Sequence, residues 1–319
     1  MESCSQEPDT QVLQNQQWMS QLCETLWDIP LYDLSIPGSH DTMTYCLDRC
    51  SPIDPDSPKL LLFLGKYVPS LTRKILLRWC MTQTLTVAEQ LDAGIRYLDL
   101  RIAHRPDIPS PNLYFVHGLY TFLTVEEILN EISDWMTNNP KEILILACRN
   151  LQSMSPVHHM HLISCIQRIF GSKLCPKHEP PTLRNMWKKG FQVIVSYDNN
   201  VTLKNVHLWP SIPYWWADTT NKHSLINFLE KKKHSGRPGE FFVAGLNLTE
   251  NTSYVLKHPL GSMKKLTLPK LPFLNSWVQK QHPGVSKDAT NIMAEDLIGS
   301  GQFISDVIDL NHKLLLHKN

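Results

Sequence analysis

The chain has 319 residues, and its 31 Lys and Arg residues nearly balance its 30 Asp and Glu residues. This balance argues against an extended surface for nucleic acid, and the 42% apolar content is typical of a globular protein. No run reaches the roughly 18 consecutive apolar residues of a membrane-spanning helix, and residues 1–18 lack the apolar centre of a secretory signal. We therefore expect a cytoplasmic protein whose association with membranes, if any, is transient.

Strand-like and helix-like segments alternate along most of the chain. Eight runs look like strands, at residues 30–38, 95–103, 113–118, 142–151, 191–197, 213–217, 240–248 and 290–298. Several of them are nearly continuously apolar, as expected for parallel strands covered on both faces. Helical spacing lies between them at 86–94, 124–140 and 158–171. The pattern predicts an α/β fold, a distorted TIM barrel forming a single domain over residues 29–319, after an N-terminal extension of residues 1–28.

Titratable residues follow several of these runs, where the active sites of TIM barrels lie. The four places are His40 with Asp41, Asp99 with Arg101, His117, and Glu295 with Asp296. A single His at a strand end is usually structural, and Asp99 and Arg101 alone could form a surface ion pair. The prediction of a site therefore depends on all four places meeting at one rim.

Two imidazoles, several carboxylates and one guanidinium suit the cleavage of a phosphodiester. One imidazole takes a proton from the attacking hydroxyl and the other protonates the leaving oxygen, because histidine titrates near neutral pH. A carboxylate beside each imidazole fixes its tautomer, and a planar guanidinium matches the charge on the phosphoryl oxygens.

Four stretches carry a more specific signal than their residue types alone. "SIPGSHDTMTY", "TVAEQLDAGIRYLDLRI", "FVHG" and "TNIMAEDLIGSGQFISDVIDLN" resemble the phosphatidylinositol-specific phospholipase C X domain, and look closest to the small eukaryotic X domain-containing proteins of the member-1 type. The motifs extend from about Leu34 to Asn311 in the family's order. The resemblance implies a distorted TIM barrel that cleaves phosphatidylinositol in membranes to diacylglycerol and an inositol phosphate, through a cyclic phosphodiester.

The resemblance assigns the two halves of the proton transfer to separate pairs. It implies that His40 is the general base for the inositol 2-hydroxyl, with Asp296 as its carboxylate partner. His117 becomes the general acid for the diacylglycerol oxygen, supported by Asp41. Since His40 and Asp41 are adjacent at a strand end, we expect their side chains to diverge.

Three further residues, and the cofactor prediction, also come from the resemblance. Arg101 would stabilise the phosphate, Asp99 would orient the site, and Arg149 falls where bacterial relatives carry a substrate-binding Lys. The large calcium-dependent members have Asn after the first His and carboxylates where this chain reads "LDLR". Asp41 and Arg101 depart from that pattern and remove ligands that a hard cation requires. We therefore predict catalysis without calcium or another metal.

Two apolar segments allow two interpretations each. Residues 59–80 mix Leu, Phe, Tyr and Trp with Lys and Arg, which fits helices packed on the barrel or an element at a bilayer surface. Residues 209–221 contain Tyr214, Trp215 and Trp216, which could pack at the rim or stack on the inositol ring.

Two other functions remain open at this level. One is a barrel that binds lipid or inositol phosphate with little turnover, and the other is a phosphodiesterase barrel of the glycerophosphodiester type. Residues 104–105 and 250–252 superficially resemble motifs of the latter, but their wide separation indicates coincidence. The oligomeric state is left open.

Overall fold

The computed structural model describes residues 15–109, 111–151, 154–200 and 204–316. Its ten strands are β1 Ile36–Ser39, β2 Tyr97–His104, β3 Leu113–His117, β4 Leu119–Thr124, β5 Leu144–Arg149, β6 Val193–Tyr197, β7 Leu208–Trp209, β8 Tyr214–Trp215, β9 Val243–Gly245 and β10 Ile292–Glu295. Eight of them pair in parallel in the order β7-β6-β5-β2-β1-β10-β9-β8. This curved band is the distorted TIM barrel that the sequence predicts.

The ring of strands is interrupted between β7 and β8. The described residues contain no ladder that joins these two strands, which are the ends of the band. The connection between them passes close to β6, where the hydroxyl of Ser196 donates to the carbonyl of Pro210 at 3.0 Å and accepts from the amide of Ile212 at 3.1 Å. Side-chain hydrogen bonds therefore hold this connection against the neighbouring strand.

Helices cover the outside of the band. They are α1 Trp18–Gln21, α2 Lys59–Tyr67, α3 Pro69–Cys80, α4 Val87–Asp92, α5 Val125–Asn138, α6 Pro156–Phe170, α7 Leu183–Lys189, α8 Lys222–Ser235, α9 Thr252–Lys257, α10 Met263–Thr267, α11 Leu271–Val278, α12 Phe303–Asp309 and α13 Lys313–Leu316. The three helices predicted from spacing are α4, α5 and α6, and each begins at a reciprocal capping box such as Thr124 with Glu127. No helix in these ranges is long and apolar enough to cross a membrane.

The expected topology is wrong in two places: one predicted barrel strand lies outside the barrel, and one barrel strand was not predicted. The run at 113–118 forms β3, which pairs antiparallel with β2 and with β4 and lies off the barrel path. Its place in the count of eight is taken by β7, which is only two residues long. An apolar run does not reveal strand direction, and two residues are too few to show periodicity.

Part of the predicted N-terminal extension packs with the barrel. Trp18, Met19 and Leu26 are buried in the main hydrophobic core, and the indole of Trp18 donates to the carbonyl of Gly94 at 2.9 Å. The carboxylate of Glu142 accepts from the amide of Met19 at 3.3 Å. Residues 18–26 therefore belong to the packed unit, while residues 1–14 of the predicted extension lie outside the described residues.

Candidate active site

Strand register brings three of the predicted residues to the same level. Ser39 of β1 pairs with Glu295 of β10 and with Leu98 of β2. The residues that come next along these strands, His40, Asp296 and Asp99, therefore emerge side by side at the carboxyl end of the barrel. The amide of Gln83 bridges the same edge, because its Nε2 donates to the carbonyls of His40 and Glu295, at 2.9 Å each.

His40 is a buried imidazole held by a carboxylate. Its Nδ1 lies 2.8 Å from Oδ1 of Asp296, and its Nε2 lies 3.0 Å from Nη2 of Arg101, which can only donate. Nδ1 therefore carries the proton and Nε2 faces the mouth. Burial raises the pKa of Asp296, and the contact with His40 opposes that rise. Burial alone lowers the pKa of His40, but the nearby charges of Asp41 and Asp296 outweigh it and raise that pKa above its ordinary value. The side chain is thus held in one tautomer and titrates at a higher pH than a free histidine.

Asp41 lies between the two histidines and does not diverge from His40. Its Oδ2 is 3.4 Å from Nε2 of His40 and 3.3 Å from Nε2 of His117. The predicted divergence is wrong because Asp41 has a left-handed backbone, with φ of 46°, and this turns its side chain into the space between the rings. Burial alone raises the pKa of Asp41, but the positive charges of Arg101, His117 and His40 outweigh burial and hold that pKa below its ordinary value. The carboxyl is therefore ionised.

His117 reaches the site from the antiparallel hairpin rather than from a barrel strand. It is the last residue of β3, and Gly118, with φ of +68°, turns the chain into β4. Its Nδ1 lies 2.8 Å from the carbonyl oxygen of Cys80. Because a carbonyl only accepts, Nδ1 carries the proton, and Nε2 points to Asp41.

Arg101 connects the charged groups at the mouth. Its Nε contacts Oδ1 of Asp41, its Nη2 lies 3.0 Å from Nε2 of His40, and the same Nη2 is 3.7 Å from Oδ2 of Asp99. Its side chain is 33% exposed, while those of Asp41 and Asp99 are 1% exposed. Asp99 also accepts from the amide of Asp41 at 3.3 Å. The side chains of Arg101 and of His117, which is 25% exposed, are therefore the parts of this network that a ligand can reach.

The carboxylates of this network lie close enough together to resemble a cation site. His40, Asp41 and Asp99 each offer one ligand atom, and these atoms lie within 4.8 Å of one another. However, calcium takes six to eight oxygen ligands, and both carboxylates here face the guanidinium of Arg101. The guanidinium of Arg101 offsets one of the two carboxylate charges and would repel a cation, and three ligand atoms are too few, so the donor set does not fit calcium.

Arg149 and Tyr214 form one wall beside this network. Arg149 ends β5, lies 5.3 Å from the ring centre of Tyr214, and donates to the carbonyl of Ile212 at 3.1 Å. The ring of Tyr214 is 6.0 Å from that of His40, centre to centre. Both predicted substrate contacts therefore lie next to the general base candidate.

The two tryptophans after Tyr214 lie elsewhere. Trp215 is buried, with its ring 4.7 Å from that of Phe242 in the core, so it is not available to stack on a substrate. Alternation along a strand explains this, since successive side chains point to opposite faces. Trp216 is 53% exposed and its indole donates to the hydroxyl of Thr249 at 2.7 Å, which leaves it at the outer rim.

Glu250 is a titratable residue at the mouth that the sequence analysis did not assign to the site. Its pKa is raised to about 7, mainly by burial and in part by the charges of Asp296 and Asp41, while His40 opposes the rise. These electrostatic partners are the residues of the candidate site. Glu250 comes two residues after the strand-like run at 240–248. Searching for titratable residues just after strands would therefore have identified it.

The barrel corresponds to that of known bacterial phospholipases. The structure of the phosphatidylinositol-specific phospholipase C from Listeria monocytogenes superposes with a TM-score of 0.63 at 20% sequence identity, covering 93% of this chain and 98% of that one. This likeness defines the fold class as that of the bacterial phosphatidylinositol-specific phospholipase C barrels.

Sequence similarity identifies the family. The PI-PLC X 1 family profile matches residues 78–228. The human PI-PLC X domain-containing protein 1 is 54% identical, over 94% of this chain and 94% of its own length. The mouse protein of the same name is 52% identical, over 93% and 87%. The chain belongs to the PI-PLC X domain family.

Proposed function

We propose that this protein is a phosphatidylinositol-specific phospholipase C that works without a metal ion at membranes reached from the cytoplasm. The observation that carries the proposal is the position of Asp41, which lies within 3.4 Å of Nε2 of both His40 and His117 and contacts Arg101. Two imidazoles with defined tautomers, one shared carboxylate and one reachable guanidinium form the group set that phosphodiester cleavage needs.

His40 acts as the general base. Its Nδ1 proton is held by Asp296 at 2.8 Å, so Nε2 carries the lone pair that removes the proton from the inositol 2-hydroxyl. The hydroxyl oxygen then attacks the neighbouring phosphorus, which forms a cyclic inositol phosphate. Asp296 stabilises the imidazolium that results, in the manner of a carboxylate behind a catalytic histidine.

His117 acts as the general acid. Its Nδ1 proton is bound to the carbonyl of Cys80, and Asp41 stabilises a second proton at Nε2. That Nε2 proton passes to the diacylglycerol oxygen as its bond to phosphorus breaks. Protonation is required because an alkoxide is a poor leaving group at neutral pH.

Arg101 and the Arg149–Tyr214 wall bind the headgroup. When the phosphate enters, the guanidinium of Arg101 exchanges its contact with His40 for the phosphoryl oxygens, which also frees the lone pair of His40. Arg149 and the ring of Tyr214 face the inositol beside the general base. The positive charge that a metal would supply in a related enzyme comes here from Arg101.

The test compares the wild type with His40→Ala and His117→Ala on phosphatidylinositol vesicles, with analysis of the released inositol phosphates. We expect each variant to lose at least about a hundredfold in kcat, as for the removal of a general acid or base. If the wild type is no faster than the variants while it still binds the headgroup, the protein is a binding barrel.

A parallel assay in excess EGTA tests the metal prediction. We expect unchanged activity in the chelator and no gain on adding calcium. Activity that EGTA abolishes and calcium restores would contradict the assignment of Arg101 as the source of positive charge.

A further inference from the structure

Helices α2 and α3 expose an apolar surface that nothing in the described part of the chain covers. Helix α2 has no buried residue, and its residues at positions i, i+3 and i+7 form one stripe that continues into the turn and the start of α3. We call these five residues the apolar face, and they are between 45% and 63% exposed: Leu60, Phe63, Tyr67, Val68 and Leu71. The rings of Phe63 and Tyr67 also contact each other, with centres 4.6 Å apart and planes tilted by 47°.

The segment that carries the apolar face has only positive charges. Residues 59–80 contain five basic side chains and no Asp or Glu. Among the described residues, none of these five forms an ion pair with a carboxylate: Lys59, Lys66, Arg73, Lys74 and Arg78. Uncompensated Lys and Arg around exposed aromatic and aliphatic side chains match an anionic bilayer surface, where the apolar groups enter the interface and the cations meet lipid phosphates.

The apolar face is directly connected to the candidate active site. The buried side of α3, including Leu76 and Cys80, packs on the hairpin, and a Cβ atom on Gly118 would lie 2.6 Å from the sulfur of Cys80. The last residue of α3 is Cys80, whose carbonyl holds His117. From Pro69 to Cys80 the helix rises roughly 18 Å, so the exposed turn lies about that far along α3 from the residue that holds His117.

We propose that the apolar face is a membrane-docking surface for bilayers that contain anionic phospholipid. The inference rests on the proposed function in one respect only, namely that the substrate lies in a bilayer. Docking through α2 and the start of α3 holds the mouth near the headgroups, since α3 connects the surface to the residue that positions His117. A second copy of the chain is a poorer occupant, because the two faces would bring like charges together.

The test measures vesicle binding in the absence of phosphatidylinositol, which separates docking from catalysis. Full-length protein is sedimented with phosphatidylcholine vesicles, with and without phosphatidylserine. We expect the wild type to bind the phosphatidylserine vesicles, and the variant Phe63→Ser/Tyr67→Ser/Leu71→Ser to lose about tenfold or more in partitioning. Lys66→Gln/Lys74→Gln is expected to lose about tenfold on the anionic vesicles only. Thermal unfolding checks that both variants remain folded.

Two controls separate the possible outcomes. Val285→Ser removes an apolar side chain that is 85% exposed in the turn before β10, at the opposite end of the barrel, and it should bind as the wild type does. His40→Ala should also bind normally, so loss of catalysis would leave the docking result unaffected. Equal binding by the triple serine variant and the wild type, or no binding by the wild type, would overturn the proposal. A dimeric wild type that becomes monomeric in the triple variant would assign the face to a second copy instead.

Discussion

Asp41→Asn is the substitution that tests the proposed proton transfer most directly. The change is isosteric, and Asn tolerates a left-handed backbone as well as Asp does, so the φ of 46° is no obstacle to folding. It removes one negative charge 3.3 Å from Nε2 of His117 and 3.4 Å from Nε2 of His40. A hydrogen bond to a charged group contributes roughly 1.5–3 kcal/mol, and losing the contact with His117 in the transition state therefore lowers kcat by roughly tenfold to 150-fold.

The same variant should change the pH profile. The charge of Asp41 helps to raise the pKa of His40, so its removal lowers that pKa. Because a general base must be unprotonated, the acid limb of kcat/KM moves to lower pH in Asp41→Asn. The measurement is steady-state hydrolysis of phosphatidylinositol vesicles across the pH range.

Asp99→Asn is the matched control for this prediction. Asp99 is as buried as Asp41 and lies 3.7 Å from Arg101, but its side chain contacts Arg101 and the amide of Asp41 rather than an imidazole. We expect less than about a tenfold loss, since only positioning is affected. Activity of Asp41→Asn within about twofold of the wild type, or an equal loss in Asp99→Asn, would refute the role given to Asp41.

Three further outcomes follow from the mouth and its supporting strands. Glu250→Gln should be more stable than the wild type at pH 8 by up to about 3 kcal/mol, because a half-buried carboxyl with a pKa of about 7 destabilises the fold as pH rises from about 4.5 through 7. Denaturant unfolding at pH 5 and at pH 8, at roughly equal ionic strength, measures this difference, and equal stability differences at both would contradict it. Gly245→Ala should lower Tm by several degrees, since its Cβ would lie 2.4 Å from Cε1 of Tyr214; an unchanged Tm in calorimetry would argue against this packing. Arg149→Lys should raise KM by roughly threefold to tenfold with a smaller change in kcat, because the planar contact with Tyr214 is lost; a loss confined to kcat would count against a binding role.

The barrel and part of the site follow from local sequence signals. The structure brings His40, Arg101 and Asp296 together because His40 and Asp296 directly follow β1 and β10, and Arg101 is the last residue of β2 that pairs in parallel with β5. That placement needs only the identification of strands and the rule that parallel strands share an edge. The pairing of His40 with Asp296 came from the family resemblance, and the 2.8 Å contact agrees with it.

The remaining features depend on backbone geometry that a sequence pattern does not contain. His117 has the same local signal as a barrel residue, but an antiparallel hairpin delivers it to the site. The position of Asp41 depends on a single positive φ, which reverses the expected divergence from His40. Trp215 and Tyr214 differ by one residue, and the strand pleat sends them to opposite faces.

The gap between β7 and β8 has a consequence for solubility. An open sheet has two edge strands whose free backbone groups can pair with another chain, and long flat edges invite such aggregation. Here each edge strand is two residues long, and the connection between them contains Pro210 and Pro213, which have no amide hydrogen to donate. The strands and the connection at the break therefore offer few free backbone groups for pairing with a strand of another chain. The barrel can stay open there without promoting aggregation.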